Sequence, residues 1–121
     1  MIQKKINIDI FEWEVWFFFI QKSDKNINKI AKKYNMHKDD FEDINEKIKE
    51  KHYDGGVTLT YIDRGYILVF LYPFSSKKTK INLISHEIRH AVDRVVECCH
   101  IKDLETPAYL TGYLTEKALT L

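Results

Sequence analysis

The sequence predicts an α+β fold, because stretches with the two-residue period of strands stand apart from longer stretches with helical periodicity. Three observations carry this. Ile6, Ile8 and Ile10 alternate with polar residues and lead into an aromatic stretch ending at Phe19 and Ile20. Val57 to Tyr72 reads as two strands around Asp63-Arg64-Gly65. Ile81, Ile84, Ile88, Ala91, Val92, Val95 and Cys99 then recur at helical spacing over about five turns. The expected order is strand, two helices, hairpin, two helices, with a small and mainly antiparallel sheet.

Each element has a local reason. After Ile10 the alternation changes phase, and Phe11, Trp13, Val15, Phe17 and Phe19 carry the apolar side, so one long strand bulged near Ile10-Phe11 is expected rather than two strands. Ser23 or Asp24 is the expected cap of a helix with Ile27, Ile30, Ala31 and Tyr34 on one face, and Asn35 suits a left-handed terminator. A second helix carries Phe41, Ile44 and Ile48, with Asp39 and Asp40 in its first turn and Lys47, Lys49 and Lys51 toward its end, as the helix dipole favours. Asp54-Gly55-Gly56 breaks it, and Pro73 ends the strand hairpin. Ser75 to Lys80 reads as a polar connector, and 104–121 as a last helix that tolerates Pro107 in its first turn. Trp13, Trp16, Phe17, Phe18 and Phe19 read as core; with both faces of that strand apolar, a partner or a second copy is expected over one of them.

The chain has 121 residues, 45% hydrophobic and 31% charged, with four Gly and two Pro, which fits one globular domain and excludes a disordered, collagenous or repetitive chain. Nineteen Lys and Arg against 18 Asp and Glu leave a formal charge of +1, so no global field draws it to nucleic acid or anionic lipid. The longest apolar run, Val15 to Ile20, is far short of the roughly 20 residues that span a bilayer, so no membrane partner is expected. The first residues lack the pattern of a signal peptide. Cys98 and Cys99 are adjacent and cannot pair without severe strain, which fits a reducing, cytoplasmic location. Vicinal cysteines before His100 also lack the spacing that closes on one metal ion, and read as packing residues.

Within the long helix stands His86-Glu87-Ile88-Arg89-His90, an HExxH. Residues four apart project from one side of a helix, so two imidazoles can hold one zinc ion (Zn2+) while Glu87 leans toward the remaining coordination position as general base. On a helical wheel the histidines lie nearly opposite Ile84, Ile88, Val92 and Val95, so one face packs while the other opens on a cleft. A catalytic zinc takes three protein ligands. Glu105, opening the final helix, is the first choice for the third; His100 and Asp103 are the alternatives. Asp93 reads as a partner for an imidazole N–H. Tyr109 and Tyr113 share a face with Glu105; either hydroxyl could donate to an oxyanion, and Tyr109 is the expected catalytic one.

Ser85 to Asp93, followed by Leu104-Glu105-Thr106-Pro107-Ala108-Tyr109-Leu110 and Gly112-Tyr113-Leu114, resembles the zincin metallopeptidases, and most nearly the small phage- and prophage-encoded proteins of minimal gluzincin type. The resemblance covers 82–119 and implies a single zincin-like domain over 1–121. It also implies a zinc metallopeptidase in which Glu105, on the helix after the motif, is the third ligand. The expected reaction is amide hydrolysis of a peptide or protein substrate, bound along an exposed sheet edge at Tyr66 to Tyr72. The competing class is a non-catalytic binding or virion protein on the same scaffold. A helix-turn-helix over 27–48 is the lesser alternative, since Asp39, Asp40, Glu42, Asp43 and Glu46 would repel phosphate on its second helix.

Overall fold

A computed structural model describes residues 1–8 and 12–120. Its four strands form one mixed sheet in the order β1-β2-β4-β3, so the protein is an α+β fold with its two long helices at the C-terminal end of the chain. Strands β1 (Ile2–Ile8) and β2 (Trp13–Phe19) pair antiparallel from Ile2↔Phe19 to Ile8↔Trp13. The single bulged strand is therefore corrected to two strands facing each other. The chain reverses between them, and a reversal leaves the same change of parity in the sequence as a bulge does. The expected bulge itself, at Ile10-Phe11, lies outside the described residues.

Helices α1 (Asn28–Lys33) and α2 (Lys38–Lys49) follow. Neither Ser23 nor Asp24 caps α1: the residue before it is Ile27, with no side-chain cap, and Asp24 instead accepts the Gln21 N–H at 2.8 Å in a preceding turn. Asn35 does take the left-handed conformation, at φ 50°. Strands β3 (Gly56–Tyr61) and β4 (Tyr66–Leu71) form the antiparallel hairpin, joined by a 3-10 turn at Ile62–Arg64 and by Gly65 at φ 71°. Strand β4 also pairs with β2 in parallel, Glu14↔Tyr66 to Phe19↔Leu71, after the crossover through α1, α2 and β3. Helix α3 (Lys77–Cys98) starts inside the expected connector, because the Ser76 hydroxyl accepts the Thr79 N–H at 3.1 Å and caps it there. Helix α4 (Glu105–Leu119) completes the chain.

The sheet is covered on both sides, which explains the apolar runs of its central strands. Val15, Phe17, Phe19, Ile67, Val69 and Leu71 pack under α3 and α4. Phe18, Leu68, Phe70 and Tyr72 pack under Ile30, Tyr34, Ile44 and Ile48 of α1, its C-terminal end and α2. Neither a second copy nor a partner is needed over the second face: the chain's own helical hairpin covers it. On the first face α3 lies against β3 and β4 while α4 lies against β1, so α4 occupies the flank of α3 away from the β3 edge. No helix among the described residues is long and apolar enough to cross a membrane.

Candidate metal centre

Helix α3 presents Ile84, Ile88, Ala91 and Val95 to the sheet, and this stripe fixes the rotation of the rest of the helix. Glu87 falls at the margin of the stripe on the β3 side and is only 4% exposed, the one charged residue buried among those described. A carboxylate buried there requires a donor. Thr58 of β3 supplies it: its Oγ1 donates to Glu87 Oε2 at 2.6 Å. The close approach of α3 to β3 depends on Gly56, where a Cβ would stand 3.2 Å from Glu87 Cγ and 2.9 Å from the Phe70 carbonyl oxygen.

His86 and His90 lie on the exposed side of α3, their rings nearly perpendicular and their Nε2 atoms 3.1 Å apart. At that distance one imidazole N–H can donate to the other ring nitrogen, and two nitrogens bound tetrahedrally at 2.0–2.1 Å from one zinc ion would stand about 3.3 Å apart, so the spacing is compatible with either arrangement. Both imidazoles, Glu87, Gly56, Thr58 and Arg94 line one open cavity of about 280 Å³.

The other expected site residues are not gathered there. Among the described residues, no group of three His, Cys, Asp or Glu side chains converges as metal ligands do. Glu105 begins α4, on the other flank of α3 from the cavity. Asp103 accepts the Thr106 N–H at 2.7 Å, and this bond holds its carboxyl below the usual carboxylate range, so it serves the start of α4. His100 takes the left-handed conformation just after α3, at φ 53°. Asp93 is corrected from an imidazole partner to an ion-pair partner: it meets Arg89 Nε at 3.2 Å, one turn back on the same helix. Tyr109 is 82% exposed on α4 and does not line the cavity, while the Tyr113 hydroxyl donates to the Asn7 carbonyl at 3.0 Å and ties α4 to β1.

The expected edge at Tyr66 to Tyr72 is also corrected, because β4 is paired on both sides, by β2 and by β3. The free edge beside the histidines belongs to β3. Tyr72 N donates to Gly55 O at 2.9 Å, which sets Gly55/Tyr72 as a hydrogen-bonded pair in the register that continues through Val57↔Phe70 and Leu59↔Leu68. In an antiparallel ladder the alternate residues turn their backbone groups the other way. Gly56, Thr58 and Thr60 therefore direct N–H and C=O outward along the edge that passes Glu87. Nothing in the sequence marked Thr58, one hydroxyl in an alternating strand, and Gly56 read only as a helix breaker.

Comparison with family models, curated proteins and solved structures found no match to this chain.

Proposed function

We propose that this protein is a zinc-dependent metallopeptidase of the HExxH type on a zincin-like scaffold, acting on a peptide or protein laid along the free edge of β3. The observation that carries the reading is the buried Glu87 carboxylate, anchored by Thr58, beside two exposed imidazoles with Nε2 atoms 3.1 Å apart. A helix face that is merely solvated has no reason to bury its acidic residue against a threonine hydroxyl. His86 and His90 would supply two of the metal's protein ligands; no third is gathered beside them among the described residues. When bound, zinc supplies a Lewis acid that polarises a carbonyl and makes water acidic near neutral pH.

The chain's own groups supply the rest. Thr58 fixes Glu87 Oε2, which leaves Oε1 to take a proton from the attacking water and return it to the leaving amine nitrogen. The outward backbone groups of Gly56, Thr58 and Thr60 offer a ladder on which an extended substrate aligns its main chain, without a side-chain code. Arg94 places a fixed positive charge in the wall of the same cavity. Glu105 and Tyr109 lie outside this arrangement, and the reading rests on the motif and β3 without them. Glu105→Ala is their separate test. A loss of zinc affinity equal to that of His86→Ala makes Glu105 the third ligand; the geometry predicts little change.

The reaction itself is tested with zinc-loaded protein and a mixture of unstructured peptides, reading products by mass spectrometry. Cleavage by the unchanged chain is expected to vanish in Glu87→Gln while bound zinc is kept, because the amide preserves shape and removes the base. No cleavage by the zinc-loaded chain, or cleavage undiminished in Glu87→Gln, contradicts the reading.

A further inference from the structure

One end of the sheet gathers exposed aliphatic side chains and lysines. Strands β2 and β4 end there and β1 and β3 begin there, while α3 starts and α4 stops beside them. Phe74, Ile81 of α3 and Leu119 of α4 line a cavity of about 610 Å³, with Lys77 and Lys80 in its wall. Ile2 extends this surface. It stands opposite Phe19 in the β1–β2 ladder, and Phe19 meets the Phe74 ring at 6.5 Å and the Lys80 ammonium at 5.8 Å. Ile2, Ile81 and Leu119 are each 41% to 45% exposed, so large aliphatic side chains face water together on one patch.

The lysines are the independent observation. Lys77, Lys78 and Lys80 fill the first turn of α3, which holds no acid, although the helix dipole favours acids there. A local choice that opposes the helix points to a use outside it. On the α4 side the Lys4 ammonium donates to the Thr120 carbonyl oxygen, next to Leu119. Lys117 stands near enough that burial first and its charge second hold the Lys4 pKa below the usual lysine range. None of these five lysines has an ion-pair partner among the described residues, and no carboxylate lines the cavity. Asp24 and Asp54, in loops at this end, are held within the chain, by the N-terminal ammonium at 3.4 Å and by the Ser75 N–H at 2.8 Å. Glu50 and Glu116 are exposed at the margin.

The composition of the patch selects its occupant. Protein interfaces concentrate aromatic residues and Arg and are poor in Lys. Nucleic acid is held by Arg and stacking aromatics and has no use for bare aliphatic side chains. Aliphatic side chains inside a rim of lysines match an anionic bilayer: the former enter the acyl boundary, and the lysine stems lie along them with their ammonium groups at the headgroups. We propose that this end of the molecule docks on the surface of an anionic membrane, with Ile2, Ile81 and Leu119 inserted and the lysine rim over the lipid phosphates and carboxylates. The expectation of no membrane partner rested on net charge and segment length, and neither registers a patch. The formal +1 conceals it because acids gathered on α2 offset the lysines. The inference stands apart from the metal site.

The test is co-sedimentation of the full chain with vesicles at about 0.1 M salt, where charges are felt over about 10 Å. Vesicles of phosphatidylcholine with about one-third phosphatidylserine are expected to bind the chain at least about tenfold more tightly than phosphatidylcholine alone. Lys77→Glu with Lys80→Glu should remove most of this binding. Lys32→Glu with Lys102→Glu, the same change of charge on other exposed surfaces, should keep most of it. Ile81→Ser with Leu119→Ser should weaken binding at least about tenfold with the circular dichroism spectrum unchanged, since both side chains are exposed. No binding to either vesicle, equal binding to both, equal losses from the two lysine pairs, or full binding by the Ile81 and Leu119 double variant overturns the proposal. A dimer in ultracentrifugation that this double variant splits also overturns it, and makes the patch an interface between copies.

Discussion

A carboxylate removed from water costs several kcal/mol unless donors replace what it loses, and Glu87 meets the Thr58 hydroxyl at 2.6 Å. Thr58→Val keeps the shape of the side chain and deletes the donor. It is expected to lower stability by about 1–3 kcal/mol in urea unfolding at neutral pH, and by much less in a Glu87→Leu background, where no charge is left unpaired. Equal losses in both backgrounds would mean that the hydroxyl acts on something other than Glu87. At this scale the sequence was legible where spacing dictates geometry: His86 and His90 stand on one side of α3 as the four-residue interval requires. It was illegible where a residue's partner lies elsewhere in the chain. Asp93 was free on a wheel to serve an imidazole or Arg89, and the residue one turn away on its own helix has it. Asp103 had an N–H three residues on, a shorter reach than any metal.

Between elements, the seam of α3 against β3 positions the candidate site, and Gly56 sets how closely they approach. Gly56→Ala places a Cβ 2.9 Å from the Phe70 carbonyl and 3.2 Å from Glu87 Cγ, and backbone yields poorly. The expected cost is about 1–3 kcal/mol. Gly112→Ala is the control: nothing lies within 4 Å of this exposed position of α4, and a helical alanine should stabilise by about 0.5–1 kcal/mol. Denaturation midpoints of the two variants moving in the same direction would contradict this account of the seam. Helices α2 and α3 were readable because an amphipathic stripe is a local signal; Ile44 and Ile48 of one, and Ile84, Ile88, Val92 and Val95 of the other, are buried as the period says. Pairing of strands is not local. Whether β4 is an edge depends on the crossover through α1 and α2 that sets β2 beside it, and the free edge passed to β3, whose residues look half-polar for that reason.

Across the whole molecule, a sheet covered on both faces divides its aromatic strand between two cores. Phe17 points to the α3 and α4 side and Phe18 to the α1 and α2 side, both fully buried. Phe17→Ala and Phe18→Ala are each expected to cost about 3–5 kcal/mol. A small cost at Phe18 alone would mean that the helical hairpin does not cover that face. The apolar run from Val15 to Ile20 announced a strand buried on both sides, but not what buried it, because the covering helices are amphipathic segments of ordinary appearance.

The same arrangement leaves one charged group inside and two histidines outside at a single point on α3, and zinc binding tests that point most directly. Protein purified without added metal, then titrated with zinc at neutral pH by calorimetry with elemental analysis of the product, is expected to take one zinc per chain. The stoichiometry should be retained in Glu87→Gln and lost in His86→Ala and in His90→Ala, since a structural pair on adjacent turns fails when either imidazole goes. A stoichiometry near zero in the unchanged chain with zinc supplied, or one that survives both histidine substitutions, would contradict the account.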